Sequence, residues 1–206
     1  MKHEALIREF FIENTIHLIA LGGFEMATTR AIVHERAALA EVKLNEAYIY
    51  RLFGGKDQLF AAVFEQLDQE LTSLVRCSLT AFREAGIPFR ERAEQLFRSV
   101  WDFLLSDEGK CRCYVRYYHS VYFTKYSHDA HMRAYGEIAE AVSSAFKPKA
   151  DVISLLHHTL TVMLDFAVRV YNGDLENSET NAEHIFNVIY AALLPYLKET
   201  TTPTLV

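Results

Sequence analysis

Apolar side chains recur at intervals of three and four residues along most of the chain, which is the spacing of helices with one buried face. The sequence has no alternating apolar and polar run long enough to indicate a sheet. The pattern therefore predicts an all-α protein. The predicted helices cover residues 4–21, a short segment from 28 or 29 onward, 45–53, 57–86, 89–105, 110–123, 128–146, 151–171 and a last one from a 177–178 cap to 197.

Turn and capping residues separate the first of these helices. Gly22-Gly23 can take the left-handed conformation that ends the first helix, and Thr28 or Thr29 can cap the second through its hydroxyl oxygen. Asn45 is a favoured acceptor for the first amides of the third helix, which stops at Gly54-Gly55. These signals predict three short helices within the first 53 residues.

Composition narrows the class of protein. The chain has 206 residues, half of them apolar, and such a chain buries a core without a disulfide or metal. Three cysteines are an odd number and lack paired zinc-ligand spacing, which argues against a secreted disulfide framework and a structural zinc site. Charges among the first residues exclude a signal peptide, and the longest uncharged stretch, 184–197, is too short to span a bilayer. We expect a cytoplasmic protein without cofactor or metal.

The charge balance gives little support for nucleic-acid binding. The formal net charge is −6, and residues 1–57 hold seven Lys and Arg against eight Asp and Glu. The remainder of the chain therefore carries −5 of the total. An N-terminal part that is not basic weakens the electrostatic case for tight phosphate binding.

Motifs for catalysis are absent from the sequence. It contains no Gly-x-Ser-x-Gly, phosphate loop, Gly-rich dinucleotide turn or His-Glu-x-x-His. No glutamate precedes a histidine by three residues, as a di-iron helical bundle requires. His157 and His158 would point about 100° apart on a helix and do not favour one ion. We expect that the protein is not an enzyme.

The three short helices outline a helix-turn-helix, in which the last helix enters the DNA major groove. Four stretches carry a family pattern: Gly22-Gly23-Phe24, Thr28-Thr29-Arg30-Ala31-Ile32, Leu44-Asn45-Glu46-Ala47-Tyr48-Ile49-Tyr50-Arg51-Leu52-Phe53 and Lys56-Asp57-Gln58-Leu59-Phe60. On these residues the chain resembles the TetR (tetracycline-repressor) family of bacterial transcriptional regulators. The resemblance covers about the first quarter of the chain. It implies an N-terminal helix-turn-helix DNA-binding domain, 1–57, and a C-terminal helical effector-binding and dimerisation domain, 58–206.

The third helix divides into a core side and an outer side. Ile49 and Phe53 are four residues apart, so they should pin the helix to the first one, with Leu44 beneath the turn. The resemblance places base contacts at residues 46–48 and phosphate contacts around them. The DNA-binding residues it implies are Asn45, Glu46, Ala47, Tyr48, Tyr50 and Lys56.

Two features depart from the family pattern. Val42-Lys43 replaces the Ala-Gly of the turn, and Thr29 to Phe53 spans 24 residues, about six more than usual. Six residues of helix turn about 600° and advance about 9 Å, so both ends cannot keep their usual places. Either residues 28–30 keep a phosphate role and residues 36–41 enlarge the end of the second helix, or residues 38 and 39 take the core positions. We favour the second arrangement, in which the second helix grows backward and Thr29 and Arg30 are not expected to contact DNA. The sequence does not decide whether the extra residues abolish or reshape DNA binding.

The C-terminal part is dense in aromatic residues. Residues 114–123 hold six ring side chains on one short helix, more than one buried face uses, so some should line a cavity or contact another helix. The last helix has few charges after Glu183, which suits core packing on one face and a partner on the other. The candidate ligand-pocket residues are Trp101, Arg116, Tyr117, His119, Tyr122, His158, Met163 and Phe166.

The resemblance implies a ligand-responsive transcriptional regulator, a repressor by family habit, that binds a palindromic double-stranded DNA operator. The partner subunit would be a second copy, joined through the last two helices, and the effector would be an unidentified small molecule. The alternative is a TetR-like fold with altered or lost DNA binding that acts as a ligand- or protein-binding sensor.

Overall fold

Helices form the regular structure of the described part of the chain. The computed structural model describes residues 2–35, 44–82 and 87–198. This confirms the all-α prediction for those residues. The helices are α1 (Lys2–Gly22), α2 (Thr29–His34), α3 (Glu46–Phe53), α4 (Lys56–Phe82), α5 (Phe89–Ser106), α6 (Glu108–Tyr118), α7 (His128–Val142), α8 (Val152–Tyr171) and α9 (Glu179–Leu193), with a π-helix at Phe123–Ser127 and 3-10 turns at Ser143–Ala145 and Leu194–Tyr196.

The predicted N-caps are confirmed at three helices that follow a short polar residue. The side chains of Thr28, Asn45 and Ser178 each accept a hydrogen bond from an amide in the first turn that follows. The predicted helix over 110–123 ends earlier, at Tyr118. The hydroxyl of Ser120 donates to the Tyr117 carbonyl at 2.7 Å, and this local hydrogen bond replaces the continuing helical ladder.

The chain divides into two compact units. The first comprises Met1–Gln69 with Asp107–Asp129, and the second comprises Glu70–Ser106 with Ala130–Val206. The first 14 residues of α4 thus belong to the first unit and the rest of the helix to the second. The functional division at residues 57 and 58 stays a prediction.

The first unit is built around α1. This helix packs against α2 and along α6, because its buried side is nearly continuous. Ile7, Phe11 and Ile19 are each at most 1% exposed. Gly23 follows with φ +82°, the left-handed turn predicted to end the helix.

In the second unit α8 packs against α5 and α9, and α5 also contacts α9. Phe97 and Trp101 stack on α5 with their ring centroids 5.9 Å apart. The hydroxyl of Tyr171 donates to the carbonyl of Leu104 at 2.9 Å, which ties the end of α8 to α5.

Among the described residues, one helix, α8, is long and apolar enough to cross a membrane. Its most apolar 18-residue segment has a mean hydropathy of 1.2. A single such helix is weak evidence, since apolar helices of soluble proteins pass the same test. Asp165 and Arg169 are exposed on it, which is why the longest uncharged stretch lies elsewhere.

Candidate functional site

The inner side of α3 fixes the helix to α1. Ile49 is fully buried, and the ring of Phe53 meets that of Phe11 edge-on, with centroids 6.4 Å apart. The guanidinium of Arg8 lies 4.3 Å from the Phe53 ring centroid and donates a hydrogen bond to the carbonyl of Leu52. The predicted packing of Phe53 on the first helix is confirmed, and Ile49 is buried as expected.

The opposite side of α3 is open to solvent. Glu46 and Ala47 are exposed, and Tyr50 is 60% exposed. Tyr48 is half-buried, with the guanidinium of Arg51 4.4 Å from its ring centroid. We call this surface, residues 45–48 with 50 and 51, the outer face of α3. The structure thus brings the predicted DNA-binding residues of α3 together on one accessible surface.

The start of α3 is capped by Asn45. Asn45 has an extended backbone, and its side-chain oxygen accepts a hydrogen bond from the amide of Ala47 at 3.1 Å. The amide of Tyr48 donates to the Asn45 carbonyl at 3.1 Å. The positive end of the helix dipole at this first turn attracts anions. The geometry at Asn45 is compatible with a neighbouring phosphate.

Glu46 joins the starts of two helices. Its carboxylate accepts a hydrogen bond from the hydroxyl of Thr29, the first residue of α2. Thr28 caps α2 by accepting from the amide of Ala31 at 3.1 Å. Glu46, a predicted base-contacting residue, is therefore acidic, and its carboxylate is hydrogen-bonded to α2.

The second helix of the described residues is short. It ends at His34, and its buried residues are Ile32 and Val33. The amide nitrogen of Asn14 donates to the Ile32 carbonyl at 2.8 Å, which anchors this helix on α1. The favoured arrangement, with residues 38 and 39 in the core positions, stays a prediction. Residues 36–43, with the Val42-Lys43 turn and most of the extra length, lie outside the described residues.

A two-residue glycine joint links α3 to α4. Gly54 has φ +86° and its amide donates to the Tyr50 carbonyl, while Gly55 has φ +141° and is buried. These backbone conformations favour glycine. Lys56 follows at once, half-buried, with its ammonium 5.5 Å from the ring centroid of Phe60. The joint places the predicted phosphate-binding lysine directly after the end of α3.

The aromatic side chains of α6 pack within the first unit. Phe64 of α4 stacks on Tyr117 with centroids 4.6 Å apart, and the Tyr117 and Ser127 hydroxyls share a hydrogen bond of 2.9 Å. The hydroxyl of Tyr114 donates to the Asp68 carboxylate at 2.8 Å. Contact with α1 and α4 therefore accounts for the density of rings that the sequence shows here.

Four of the eight predicted pocket residues lie in this first unit. Arg116 and His119 are exposed, and Tyr117 is buried. The ring of Tyr122 is half-buried between Phe24 and Phe60, with centroid distances of 4.8 and 5.2 Å. These side chains form an aromatic core with two exposed polar neighbours.

Tyr117 should make the protein sensitive to alkaline pH. Burial raises its pKa from 10 to about 12, so the unfolded chain loses this proton first as the pH rises. The resulting stability is complete below pH 10 and is lost between pH 10 and about pH 12. Urea unfolding across this range should show a smaller decline in Tyr117→Phe than in wild type. Tyr50→Phe deletes a surface hydroxyl as the matched control, and an equal decline in Tyr117→Phe would contradict the assignment.

The second unit contains an apolar cavity of about 130 Å³. Helices α4, α5, α7, α8 and α9 all contribute to its wall. Representative lining residues are Leu71, Phe97, Ile138, Leu160, Met163 and Ile189. Among the described residues, those that line this cavity carry no charged side chain.

The other four predicted pocket residues belong to the second unit, and one of them, Met163, lines the cavity. Trp101 is buried but packs on Phe97 outside the lining. His158 is exposed, and the half-buried ring of Phe166 lies 5.4 Å from the guanidinium of Arg169. The structure therefore does not bring the eight predicted residues together. The ring-rich segment drew attention to α6, whereas the cavity is made by common aliphatic residues at ordinary helical spacing.

Neither a family model nor a curated protein matches the chain. Solved structures do match. A TetR family transcription regulator from Marinobacter aquaeolei VT8 has a TM-score of 0.74 and 19% identity, covering 93% of this chain and 97% of that one. A putative TetR family regulator from Shewanella sp. PV-4 has a TM-score of 0.72 and 18% identity, covering 90% and 96%.

A third similar structure is SmeT, the repressor of the Stenotrophomonas maltophilia multidrug efflux pump SmeDEF. Its TM-score is 0.64 at 14% identity, covering 97% of this chain and 95% of SmeT. At such identities the likeness concerns the fold. It extends over nearly the whole chain, well beyond the N-terminal quarter in which the sequence motifs lie.

Proposed function

We propose that this chain, which has the fold of TetR-family regulators, is a cytoplasmic, homodimeric DNA-binding transcriptional regulator that responds to a small molecule. The observation that carries the proposal is the outer face of α3. Its predicted contact residues lie side by side, all exposed except the half-buried Tyr48, while Ile49 is buried behind them. A helix presented in this way suits insertion into a major groove.

DNA contacts would divide between phosphates and bases. Asn45, Tyr50 and Lys56 lie at the start, flank and far end of α3, where phosphate contacts would set its position in the groove. Tyr48 and its neighbours 46 and 47 would meet base edges. In a dimer, two copies of α3 would read successive major grooves about 34 Å apart on a palindromic site.

The dimer would form through α8 and α9. Val188 is 46% exposed, and Ala191 and Ala192 are exposed one turn further along α9. Residues three and four positions apart share one side of a helix. The last helix thus has a buried side toward its own unit and a solvent-facing strip of apolar side chains, which suits a second copy.

Ligand binding would regulate DNA binding only through a difference in affinity between two conformations. The cavity of the second unit is the proposed effector site. Met163 is the residue that this proposal shares with the pocket expected from sequence. SmeT, which represses a multidrug efflux pump, supports the assignment to repression rather than activation.

The acidity of the N-terminal part favours one alternative. Residues 1–57 carry a balance of −1, and the outer face of α3 begins with Glu46. A protein of this fold that no longer binds an operator and acts through ligand or protein contacts would tolerate both features. The alternative predicts no DNA complex even at low salt.

A mobility-shift series tests the main proposal. We expect the protein to shift DNA flanking its own gene, with an affinity that falls steeply as salt rises. Tyr48→Ala should relax base preference at a cost of about 1–3 kcal/mol on the preferred site, whereas Lys56→Ala should weaken binding to all sequences about equally.

Arg133→Ala, at an exposed cation of the second unit, is the matched control for loss of charge and should leave the shift unchanged. Identical profiles for the two α3-region variants would contradict the assigned roles. Absence of any complex at low salt would favour the sensor alternative.

A further inference from the structure

The cavity of the second unit is close in size to one aromatic ring. Its volume is about 130 Å³, and an apolar protein cavity of about 150 Å³ is known to hold benzene. Side chains from five helices make its wall, so its dimensions are set by the way those helices pack. A ligand that filled it without displacing a helix would have one ring and few substituents.

The wall offers almost no hydrogen-bonding surface to a ligand. Its described polar side chains are Tyr135, Thr159 and Tyr190, yet nearly all of the surface that faces the cavity is apolar. The Thr159 hydroxyl donates to the Leu155 carbonyl at 3.0 Å. The Tyr190 hydroxyl is itself buried, so the ring of this residue and not its oxygen forms the wall. A polar group of a ligand would therefore lose water here without gaining a partner.

The wall also lacks charge. None of the described residues that line the cavity carries a charged side chain. The Arg90 guanidinium lies 5.2 Å from the Tyr190 ring centroid, but Arg90 does not line the cavity and donates to the Asn187 side-chain oxygen at 2.6 Å. An ionised ligand would lose its hydration without gaining a counter-ion, which costs far more than the burial of a neutral polar group.

We propose that the effector of this protein is an uncharged, apolar molecule of single-ring size that binds without hydrogen bonds to the wall. The inference rests on the proposed function, because it assigns the chemical class of the regulator's effector. Burial of apolar surface provides the binding energy. The volume of the cavity and its lack of polar partners provide the selectivity, so cations and anions that carry the same ring are excluded.

Four single-ring compounds test the polarity of the site. In full-length protein labelled with ¹³C at the methionine methyls, the resonance of the wall residue Met163, assigned from Met163→Leu, reports occupancy of the cavity. Toluene should shift it. Phenol has nearly the shape of toluene but should bind at least about fivefold more weakly, because burial of a hydroxyl without a partner costs at least that factor. Benzylammonium and benzoate should not shift it.

Naphthalene tests the size of the site. If apolar burial alone decided affinity, this larger molecule would bind more tightly than toluene. A cavity of about 130 Å³ should instead bind it more weakly than toluene, because a second ring forces the packed helices apart.

Ala93→Leu should weaken toluene binding at least about fivefold, because the larger side chain takes up cavity volume. Ala93 is a half-buried wall residue of α5. Ala134→Leu makes the same change at a half-buried residue of α7 outside the wall, and should bind toluene as wild type does.

The wild-type ranking of the five compounds tests the proposal even if a variant does not fold. A Met163 resonance that toluene leaves unshifted would overturn the proposal. So would phenol or naphthalene binding as tightly as toluene, a shift caused by either ion, or unchanged toluene binding in a folded Ala93→Leu protein.

Mobility shifts on the same preparations keep the two proposals separate. DNA binding without toluene binding overturns the effector class and leaves the regulator intact. Toluene binding without DNA binding overturns the regulator and leaves the chemistry of the cavity in place. Release of DNA at toluene concentrations that saturate the Met163 shift is the result expected when both hold.

Discussion

Val188→Glu is expected to convert the proposed dimer to a monomer while leaving each subunit folded. Val188 lies on the solvent-facing apolar strip of α9. In a twofold dimer through this strip, each subunit would bury a glutamate without a partner, and such a charge costs about 3–5 kcal/mol. The dimer dissociation constant should rise by about 100-fold or more. Sedimentation equilibrium measures it directly, and operator affinity should fall with it.

Thr180→Glu is the matched control for this substitution. It adds the same charge at an exposed position in the first turn of α9, where an acidic side chain is favourable. This variant should remain dimeric. If Val188→Glu also remained dimeric at unchanged affinity, the interface would have to lie elsewhere.

Phe64→Ala should have the largest effect on folding stability. The side chain is 1% exposed and contacts the rings of Tyr114, Tyr117 and Phe123, with centroid distances of 5.0, 4.6 and 5.4 Å. Its removal leaves a cavity between α4, α6 and the π-helix. The expected loss is about 3–5 kcal/mol in the free energy of unfolding, measured by urea denaturation.

Two controls bracket the Phe64 result. Phe64→Leu keeps an apolar side chain at the same position and should lose about 1–2 kcal/mol. Tyr50→Ala removes an exposed ring and should stay within about 0.5 kcal/mol of wild type. A Phe64→Ala variant as stable as the Tyr50→Ala protein would show that this aromatic cluster does not form.

The sequence predicted helix boundaries correctly where one residue, such as a capping side chain or a glycine, sets the backbone conformation at the helix end. Asn45 caps α3 and Gly54 ends it in the left-handed region, both as predicted. The π-helix at Phe123–Ser127 was not predicted. It forms where Ser120 bonds back to Tyr117 and where the Tyr117 hydroxyl reaches Ser127, and these contacts depend on tertiary packing.

The outer face of α3 could be predicted because its residues are close together in the sequence. The 3.6-residue period of a single helix is then enough to tell which of them point outward. The cavity could not be predicted, because its wall draws on five helices separated by long stretches of chain. Tyr190 illustrates the difference. In sequence it is one more aromatic residue of a buried helix face, and only the structure shows that its hydroxyl lacks a partner.

The glycine joint between α3 and α4 would limit how the proposed effector signal reaches DNA. Only Gly54 and Gly55 separate the two helices, and both hold left-handed backbone angles that other residues rarely adopt. Two residues leave no slack for α3 to slide or detach while α4 stays still. A reorientation of the start of α4 at Lys56 must then change the tilt of α3 and of its tyrosines. The affinity for an operator would therefore depend only on the angle of α3.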